Sequence, residues 1–192
     1  MPPKFKFTRD EIVEAALTVV RQGGWPALTT RSLADALGAS ARPIYSFFES
    51  MAEVEEAVVE KTVDLLYRRM IRKETGDPWH DHGIGYVLFA MEEKALFRAV
   101  NDERHIALFK TYGDVIWESL TAALENYPPF AGLTADQIDR IQLHRWLFAH
   151  GMAFSVSNPP PDTWAREKIV AAMREGSQAI YDGLRLQFQS PP

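Results

Sequence analysis

Two arginines in the segment from Leu28 to Phe48 carry the side chains best suited to binding another macromolecule. Arg31 and Arg42 are the only guanidinium groups between residues 26 and 50. A guanidinium group can donate two hydrogen bonds to the edge of a guanine base, so both arginines are candidates for reading base sequence. For Arg42, a phosphate contact without base recognition remains an alternative.

A short helix is predicted to carry the first of these arginines. Leu33, Ala34 and Leu37 follow one another at the offsets that form a single apolar stripe on a helix. Thr29 and Thr30 precede the stripe, and their hydroxyl groups can accept hydrogen bonds from the free N–H groups at a helix start. The helix is therefore predicted to begin at these threonines.

A tight turn and a second short helix are predicted to follow. Gly38 stands where a left-handed residue ends a helix, and Ser40 is predicted to cap the next one. In that second helix, Ile44 and Phe48 lie one turn apart and are predicted to face the same core. Two short helices joined by a short turn containing Gly are typical of a helix-turn-helix.

The segment also resembles the DNA-binding segment of the TetR family of transcriptional regulators. The resemblance is close over residues 8–60, and beyond them it depends on chain length and helix order. The residues that carry it are Thr29-Thr30-Arg31-Ser32-Leu33-Ala34, Leu37-Gly38, Pro43-Ile44-Tyr45 and Phe48.

The resemblance implies roles for individual side chains. Thr29, Thr30 and Tyr45 would hold DNA phosphates, while Ala41 and Pro43 would make apolar contacts, for example with a thymine methyl group. Ser46 and Phe47 would lie on the exposed edge. The predicted DNA-binding residues are Thr29, Thr30, Arg31, Ser40, Ala41, Arg42, Pro43, Tyr45, Ser46 and Phe47.

Two positions depart from the family pattern. Phe47 stands where the family often has His, and Met51 stands where it usually has a phosphate-binding Lys. Each subunit thereby loses one cationic contact, which predicts weaker or more salt-tolerant backbone binding. Compensation by Lys4, Lys6 or Arg9 is the alternative.

Composition describes an ordinary globular protein. The chain has 192 residues, 46% of them hydrophobic and 24% charged, with no cysteine, which excludes disulfides and thiolate chemistry. The net charge is −5, but residues 1–50 hold six basic and five acidic groups. Because the negative charge belongs to the remaining chain, the N-terminal part permits DNA binding without arguing for it.

The sequence predicts no membrane partner. Its most apolar stretch, Leu147 to Val156, holds about ten residues, too few to span a bilayer. The N-terminus lacks the apolar run of a signal peptide. We therefore expect a cytoplasmic protein.

Metal binding and catalysis are the rival chemistries. His80 and His82 flank Asp81 in a predicted loop, so a surface metal site is conceivable there. His144 and His150 are six residues apart on one helix and cannot converge on one ion. We expect no enzyme and no cofactor, because the chain contains no HExxH, phosphate-binding Gly-rich loop or nucleophile elbow.

The pattern along the chain predicts an all-α fold. Capping boxes at Thr8 and Thr134 mark two helix starts, a long helix runs from about Met51 to Lys73, and no period-2 stretch predicts a strand. We predict a three-helix, helix-turn-helix DNA-binding domain over residues 1–50. A larger helical bundle over 51–192 would bind a ligand and form the dimer interface.

The last two long helices are the predicted dimer surface. Their apolar residues recur at steps of three and four, which suits packing against other helices. A two-fold dimer would also space two recognition helices for a palindromic operator. An intramolecular core in a monomer is the alternative. The predicted interface residues are Ile141, Phe148, Met152, Met173, Ile180 and Leu184.

The C-terminal part is also predicted to bind a small, largely apolar effector, because TetR-type domains enclose a pocket between such helices. Trp146, His150 and Gly151 resemble the Trp-His-Gly signature of one class of these domains. A purely structural role for His150 is the alternative. The predicted ligand-binding residues are Phe89, Phe109, Tyr112, Trp117, Trp146 and His150.

These observations predict a sequence-specific transcriptional regulator. We expect a homodimeric repressor that binds double-stranded DNA and releases it when an effector changes the tilt of the long helix from residue 51 to about 73. A helical small-molecule or metal sensor with weakened DNA binding is the alternative function.

Overall fold

The computed structural model describes residues 7–124, 126–158 and 163–189, and within these ranges the chain is helical and forms no strand. The predicted all-α fold is confirmed. None of the helices in these ranges is long and apolar enough to cross a membrane. The helices are α1 (Arg9–Gly23), α2 (Thr30–Ala36), α3 (Arg42–Tyr45), α4 (Met51–Met70), α5 (Pro78–Glu92), α6 (Lys94–Val100), α7 (Ile106–Ala122), α8 (Ala135–Ser157) and α9 (Arg166–Gln189).

The chain divides into two compact units. The first runs to Leu65 and includes Glu93–Gly113, and the second contains Leu66–Glu92 and the chain from Asp114 onward. The boundary between them falls inside α4. The functional division of the sequence at residue 50 stays a prediction.

Local capping sets the start of α1 and α8. Thr8 Oγ1 accepts a hydrogen bond from the Glu11 N–H at 3.2 Å, and Glu11 Oε2 accepts from the Thr8 N–H at 2.7 Å. Thr134 and Gln137 form the same reciprocal pair at α8. Both predicted capping boxes are therefore confirmed. Each pairs N–H groups that the helix itself leaves without a partner.

In the first unit, α1 packs against α2 and α6. The Trp25 indole N–H donates to the Ala99 carbonyl at 2.7 Å in a buried hydrogen bond. Arg21 donates twice to the Glu93 carboxylate, at 2.9 and 3.0 Å. These bonds fix the segment that contains α6 to the helices at the N-terminus.

In the second unit, α5 packs against α8 and α9, and every residue from 81 to 90 is buried. Gly85 permits a close approach between two backbones in this unit. A Cβ atom at Gly85 would lie 2.5 Å from the Arg69 carbonyl oxygen and from the Met70 Cα. The end of α4 therefore contacts the backbone of α5 directly.

The start of α5 corrects one prediction. His80 and His82 lie in the first turns of α5 and not in a loop. Pro78 suits the first position of a helix, since its missing N–H would be unpaired there anyway. Asp77 accepts a hydrogen bond from the Trp79 N–H at 2.9 Å, as a capping residue does.

Three predicted dimer residues are buried in the chain's own core, which corrects that expectation. Ile141 and Met173 are fully buried, and Leu184 is 7% exposed. Ile141 and Leu184 belong to a cluster that also contains Trp79 and Phe130. An apolar seam at steps of three and four fits a neighbouring helix of the same chain as well as one of a second chain, and here α8 and α9 pack within one chain.

The other three predicted dimer residues are half-buried. A Cβ atom at Gly176 would lie 2.4 Å from the ring of Phe148, so this ring packs on α9. Ile180 packs against the apolar core of the second unit, and Met152 is half-buried on α8. Their part in a dimer stays a prediction.

Candidate nucleic-acid interface

The inner face of the helix-turn-helix is apolar and closed. Leu33 on α2 and Ile44 on α3 are fully buried, and Phe48 is 2% exposed. Gly38 in the turn has φ 60°, as predicted, a left-handed conformation that disfavours residues with a Cβ. This packing leaves the opposite sides of α2 and α3 facing solvent.

The start of α3 corrects the prediction for Ser40. Ala41 is the N-cap residue, none of the described side chains caps the helix, and Ser40 is exposed in the turn. Pro43 lies in the first turn of α3 and has no N–H, so it removes one of the donors that a capping hydroxyl would bind. The Ala41 carbonyl accepts from the Ile44 N–H at 3.1 Å.

Thr29 is the N-cap of α2, as predicted. Its hydroxyl accepts from the Ser32 N–H at 3.1 Å, and the Ser32 hydroxyl accepts from the Thr29 N–H at 2.9 Å. Ser32 also donates to the Ala27 carbonyl at 2.6 Å. Thr29 therefore has a structural role at an exposed position beside the predicted phosphate contacts.

Thr30 and Tyr45 connect the two helices on their outer side. The Thr30 Oγ1 and Tyr45 Oη atoms lie 2.9 Å apart and share a hydrogen bond. The Tyr45 side chain is 51% exposed. Two of the predicted phosphate-binding hydroxyl groups are thus held side by side on the surface.

Both candidate base-reading arginines are exposed. In the described part of the chain, neither Arg31 nor Arg42 forms an ion pair or a side-chain hydrogen bond. The Ser46 hydroxyl donates to the Arg42 carbonyl at 2.9 Å. Because this bond uses only the Arg42 backbone, the guanidinium group of Arg42 stays available. Two uncommitted cationic groups on the outer side of a helix-turn-helix can pair with phosphates or guanine edges.

The remaining predicted positions surround these groups. Ala41, Pro43 and Phe47 are half-buried, and so is Met51 at the first position of α4. Arg9 is exposed and lies over the Phe48 ring, 4.9 Å from its centre, so its charge is at the edge of the same face. Lys4 and Lys6 lie outside the described residues.

Two of the predicted ligand-binding residues interact with each other in the second unit. The Trp146 and His150 rings stack with centres 5.2 Å apart, and the His150 Nδ1 atom lies 2.8 Å from the Tyr86 hydroxyl on α5. His150 therefore bonds to a neighbouring helix, as its structural alternative predicts. Burial lowers the pKa of His150 below its ordinary value.

The other four predicted ligand residues are divided between the units. Phe89 is buried in α5 and Trp117 is half-buried, both in the second unit, whereas Phe109 and Tyr112 belong to the first. Over the described residues, no group of three or more His, Asp or Glu side chains is arranged to hold a metal ion.

Sequence reasoning missed a buried polar group in the second unit. Arg145 is 4% exposed, and burial lowers its pKa to about 10. Burial also lowers the pKa of the nearby His82 to about 4. The available signal was the position of Arg145 on the apolar side of α8, between Ile141 and Phe148, where a charged side chain has no ordinary reason to lie.

Comparisons with known proteins agree with an all-helical fold that carries an N-terminal helix-turn-helix. The profile of bacterial regulatory proteins of the tetR family matches residues 12–58. An uncharacterised HTH-type transcriptional regulator of Mycobacterium tuberculosis is 32% identical over 71 residues, or 37% of this chain. The match spans 33% of that relative's length.

Solved structures of the same fold cover nearly the whole chain. A transcriptional regulator from Rhodococcus sp. Rha1 has a TM-score of 0.66 at 14% identity, covering 92% of this chain and 97% of its own. A TetR variant from Acinetobacter baumannii AYE in complex with minocycline has a TM-score of 0.53 at 17% identity, covering 97% and 100%. The N-terminal segment thus matches the tetR family of bacterial regulatory proteins, and the whole described chain shares its fold with these structures.

Proposed function

We propose that this protein is a homodimeric transcriptional repressor that binds a palindromic DNA operator through α2 and α3. One observation carries the proposal: the exposed side of the helix-turn-helix holds Arg31, Arg42 and Tyr45, while Leu33 and Ile44 close its inner side. Guanidinium and hydroxyl groups arranged in this way suit a major groove and its phosphates.

The proposed operator is palindromic because two copies of the chain would present two recognition helices. These must lie about 34–36 Å apart to enter successive major grooves on one side of the duplex. An apolar stripe on α8 supports a second copy as partner. Leu143, Leu147 and Phe154 are 47%, 53% and 61% exposed, and large exposed apolar groups in a row mark interaction surfaces.

The proposed repressor releases DNA when a small, largely apolar effector binds to the C-terminal helices. α4 runs without interruption from the first unit into the second, so a change in its tilt could pass from an effector site to the reading helices. The minocycline complex of the Acinetobacter relative supports a ligand site in a protein of this fold. Any effector acts only through its difference in affinity for the two states.

Selection of bound sequences from a random duplex pool tests DNA recognition. We expect the selection to enrich an inverted repeat. Mobility shifts with the selected duplex then give the dissociation constants of the wild type and its variants. Arg42→Ala should weaken binding by about 1–3 kcal/mol if the side chain reads a base, and relax the preference at one position of each half-site. A uniform loss over all sequences would indicate a phosphate contact instead.

Arg72→Ala is the matched control, since it removes an exposed arginine outside the helix-turn-helix. Its dissociation constant should equal that of the wild type. Failure to enrich any sequence at physiological salt would reject the DNA-binding function. Light scattering of the wild type and of Leu147→Glu tests the dimer, because a charge on an apolar subunit interface should give a monomer.

A further inference from the structure

The interior of the second unit contains a charged group, Arg145, for which the described residues provide no ion pair. The Arg145 side chain donates one hydrogen bond, from Nη1 to the Trp79 carbonyl at 2.6 Å. Its guanidinium group lies over the Trp79 ring, 4.1 Å from the centre. Over the described residues, its other N–H groups have no acceptor, although a guanidinium group has five such donors.

Two acidic side chains of the same region, Asp77 and Asp81, are hydrogen-bonded to other groups. Asp77 accepts from the Tyr127 hydroxyl at 2.8 Å and from the Trp79 N–H at 2.9 Å. Asp81 accepts from the backbone and hydroxyl of Thr75. Neither carboxylate lies within ion-pair distance of Arg145. A buried and unpaired charge is among the costliest features of a protein interior, so its retention calls for an explanation.

Two further buried donors lie on the helices that enclose Arg145. Gln142, one turn earlier on α8, is 1% exposed, and its Nε2 has no hydrogen-bond partner among the described residues. Because Thr121 donates to its Oε1 at 3.4 Å, the unpaired side of the amide is its N–H₂ group. On α9, the hydroxyl group of the fully buried Ser177 likewise has no hydrogen-bond partner in the described part of the chain.

The three helices meet next to Arg145 at a position without a side chain. A Cβ atom at Gly83 on α5 would lie 2.7 Å from Met173 Cε and 3.9 Å from Arg145 Cδ. Met173 is one turn before Ser177 on α9. An unbranched Met side chain has several alternative rotamers, so it can move aside for a ligand more easily than a branched side chain can.

We propose that the second unit binds the carboxylate of a small organic acid between α5, α8 and α9, with Arg145 as its counter-ion and Gln142 and Ser177 as donors. One guanidinium and neutral donors match a single negative charge, and the planar fork of Arg matches a carboxylate. The apolar neighbours Trp79 and Met173 suit an organic body. This proposal depends on the effector site proposed above and specifies its chemistry.

Calorimetric titration of the full chain tests the site without DNA. The probes are hexanoate, benzoate and naphthoate, each paired with its neutral amide, with sodium chloride keeping the ionic strength constant. We expect saturable binding of at least one acid and at least tenfold weaker binding of its amide. Equal binding of acid and amide, or no saturable binding of any acid, would overturn the proposal.

Variants identify the residues. Arg145→Met removes the charge but keeps a long, unbranched side chain, and it should weaken binding of the acid at least tenfold. Ser177→Ala removes a single oxygen atom and should weaken binding of the acid several-fold. Because this change is small, the variant still tests the site if Arg145→Met does not fold. Arg174→Met, which removes an exposed arginine of the same helix α9, is the matched control and should bind like the wild type.

Retention of wild-type affinity in Arg145→Met, or an equal loss in Arg174→Met, would place the acid elsewhere and reject the site. The titration contains no DNA, so its failure would leave the proposed operator binding intact. Conversely, failure of the operator selection would reject DNA recognition and not the acid site.

Discussion

The hydroxyl groups of Thr30 and Tyr45 lie 2.9 Å apart and join α2 to α3 on the exposed side of the helix-turn-helix. The two residues are fifteen positions apart in the chain, so the bond depends on how the turn folds the helices together. Each hydroxyl group can orient the other toward an incoming phosphate. The structure therefore holds the two hydroxyl groups together at one place on the surface.

Tyr45→Phe should impair DNA binding with little effect on folding. The lost bond is exposed, so the free energy of unfolding should fall by less than about 1 kcal/mol. The operator dissociation constant should rise about 2- to 10-fold per contact. Denaturant unfolding and mobility shifts measure the two effects separately.

Thr30→Val provides the partner variant for a double-mutant cycle. If the hydroxyl groups act as one unit, the double variant should lose less affinity than the two single losses added together. Additive losses would show that the two groups contact DNA independently.

Met51→Lys should restore a cationic contact at the start of α4. The logarithm of the operator binding constant should then fall more steeply with the logarithm of the salt concentration, by about 0.9 for each additional phosphate that the protein neutralises. Met51→Gln, which adds polarity without charge, should keep the wild-type slope. A slope unchanged by Lys would mean that α4 begins too far from the DNA backbone.

Gly85→Ala should destabilise the second unit. The added Cβ would lie 2.5 Å from backbone atoms of Arg69 and Met70, which cannot move away as a flexible side chain could. Overpacking of this kind costs about 1–3 kcal/mol, more than the gain in helix propensity from Gly to Ala. Chemical denaturation gives the free energy of unfolding.

Gly183→Ala is the control for this substitution. Gly183 is also in a helix of the second unit, and a Cβ there would meet nothing within 4 Å. Its free energy of unfolding should rise by up to about 1 kcal/mol. Equal effects at the two glycines would contradict the close approach of α4 and α5.

His82 should make stability fall in mild acid. Burial lowers its pKa to about 4 from an ordinary value of 6.5. Between these pH values the unfolded chain binds more protons than the folded chain. The contribution of His82 to the free energy of unfolding is therefore complete above about pH 6.5 and is lost as the pH falls toward 4. His82 can change the free energy of unfolding by at most about 1.4 kcal/mol for each pH unit.

His82→Gln isolates this effect from other titrating groups. Its stability should decline less than that of the wild type between pH 6.5 and 4.5, as measured by urea unfolding at several pH values. His144→Gln removes an exposed histidine and should follow the wild-type curve. Parallel curves for wild type and His82→Gln would mean that His82 titrates as it does in the unfolded chain.

Sequence alone determined the elements whose causes are local. The capping boxes at Thr8 and Thr134 and the left-handed Gly38 depend on residues within a few positions of each other. Because hydrogen bonding and steric limits at helix ends act over that range, the helix order and the helix-turn-helix could be predicted. The exposed side of the helix-turn-helix could be predicted too, since the apolar side of each short helix has to be buried.

Tertiary structure alone decided which helix covers each apolar stripe. Ile141 and Met173 are buried by their own chain, although their spacing suits a second subunit equally well. Arg145 lies in the interior, and Tyr45 bonds to Thr30, for the same reason: both depend on residues far apart in sequence that only folding brings together. Helical periodicity indicates that a face is buried, but it does not identify the surface that buries it.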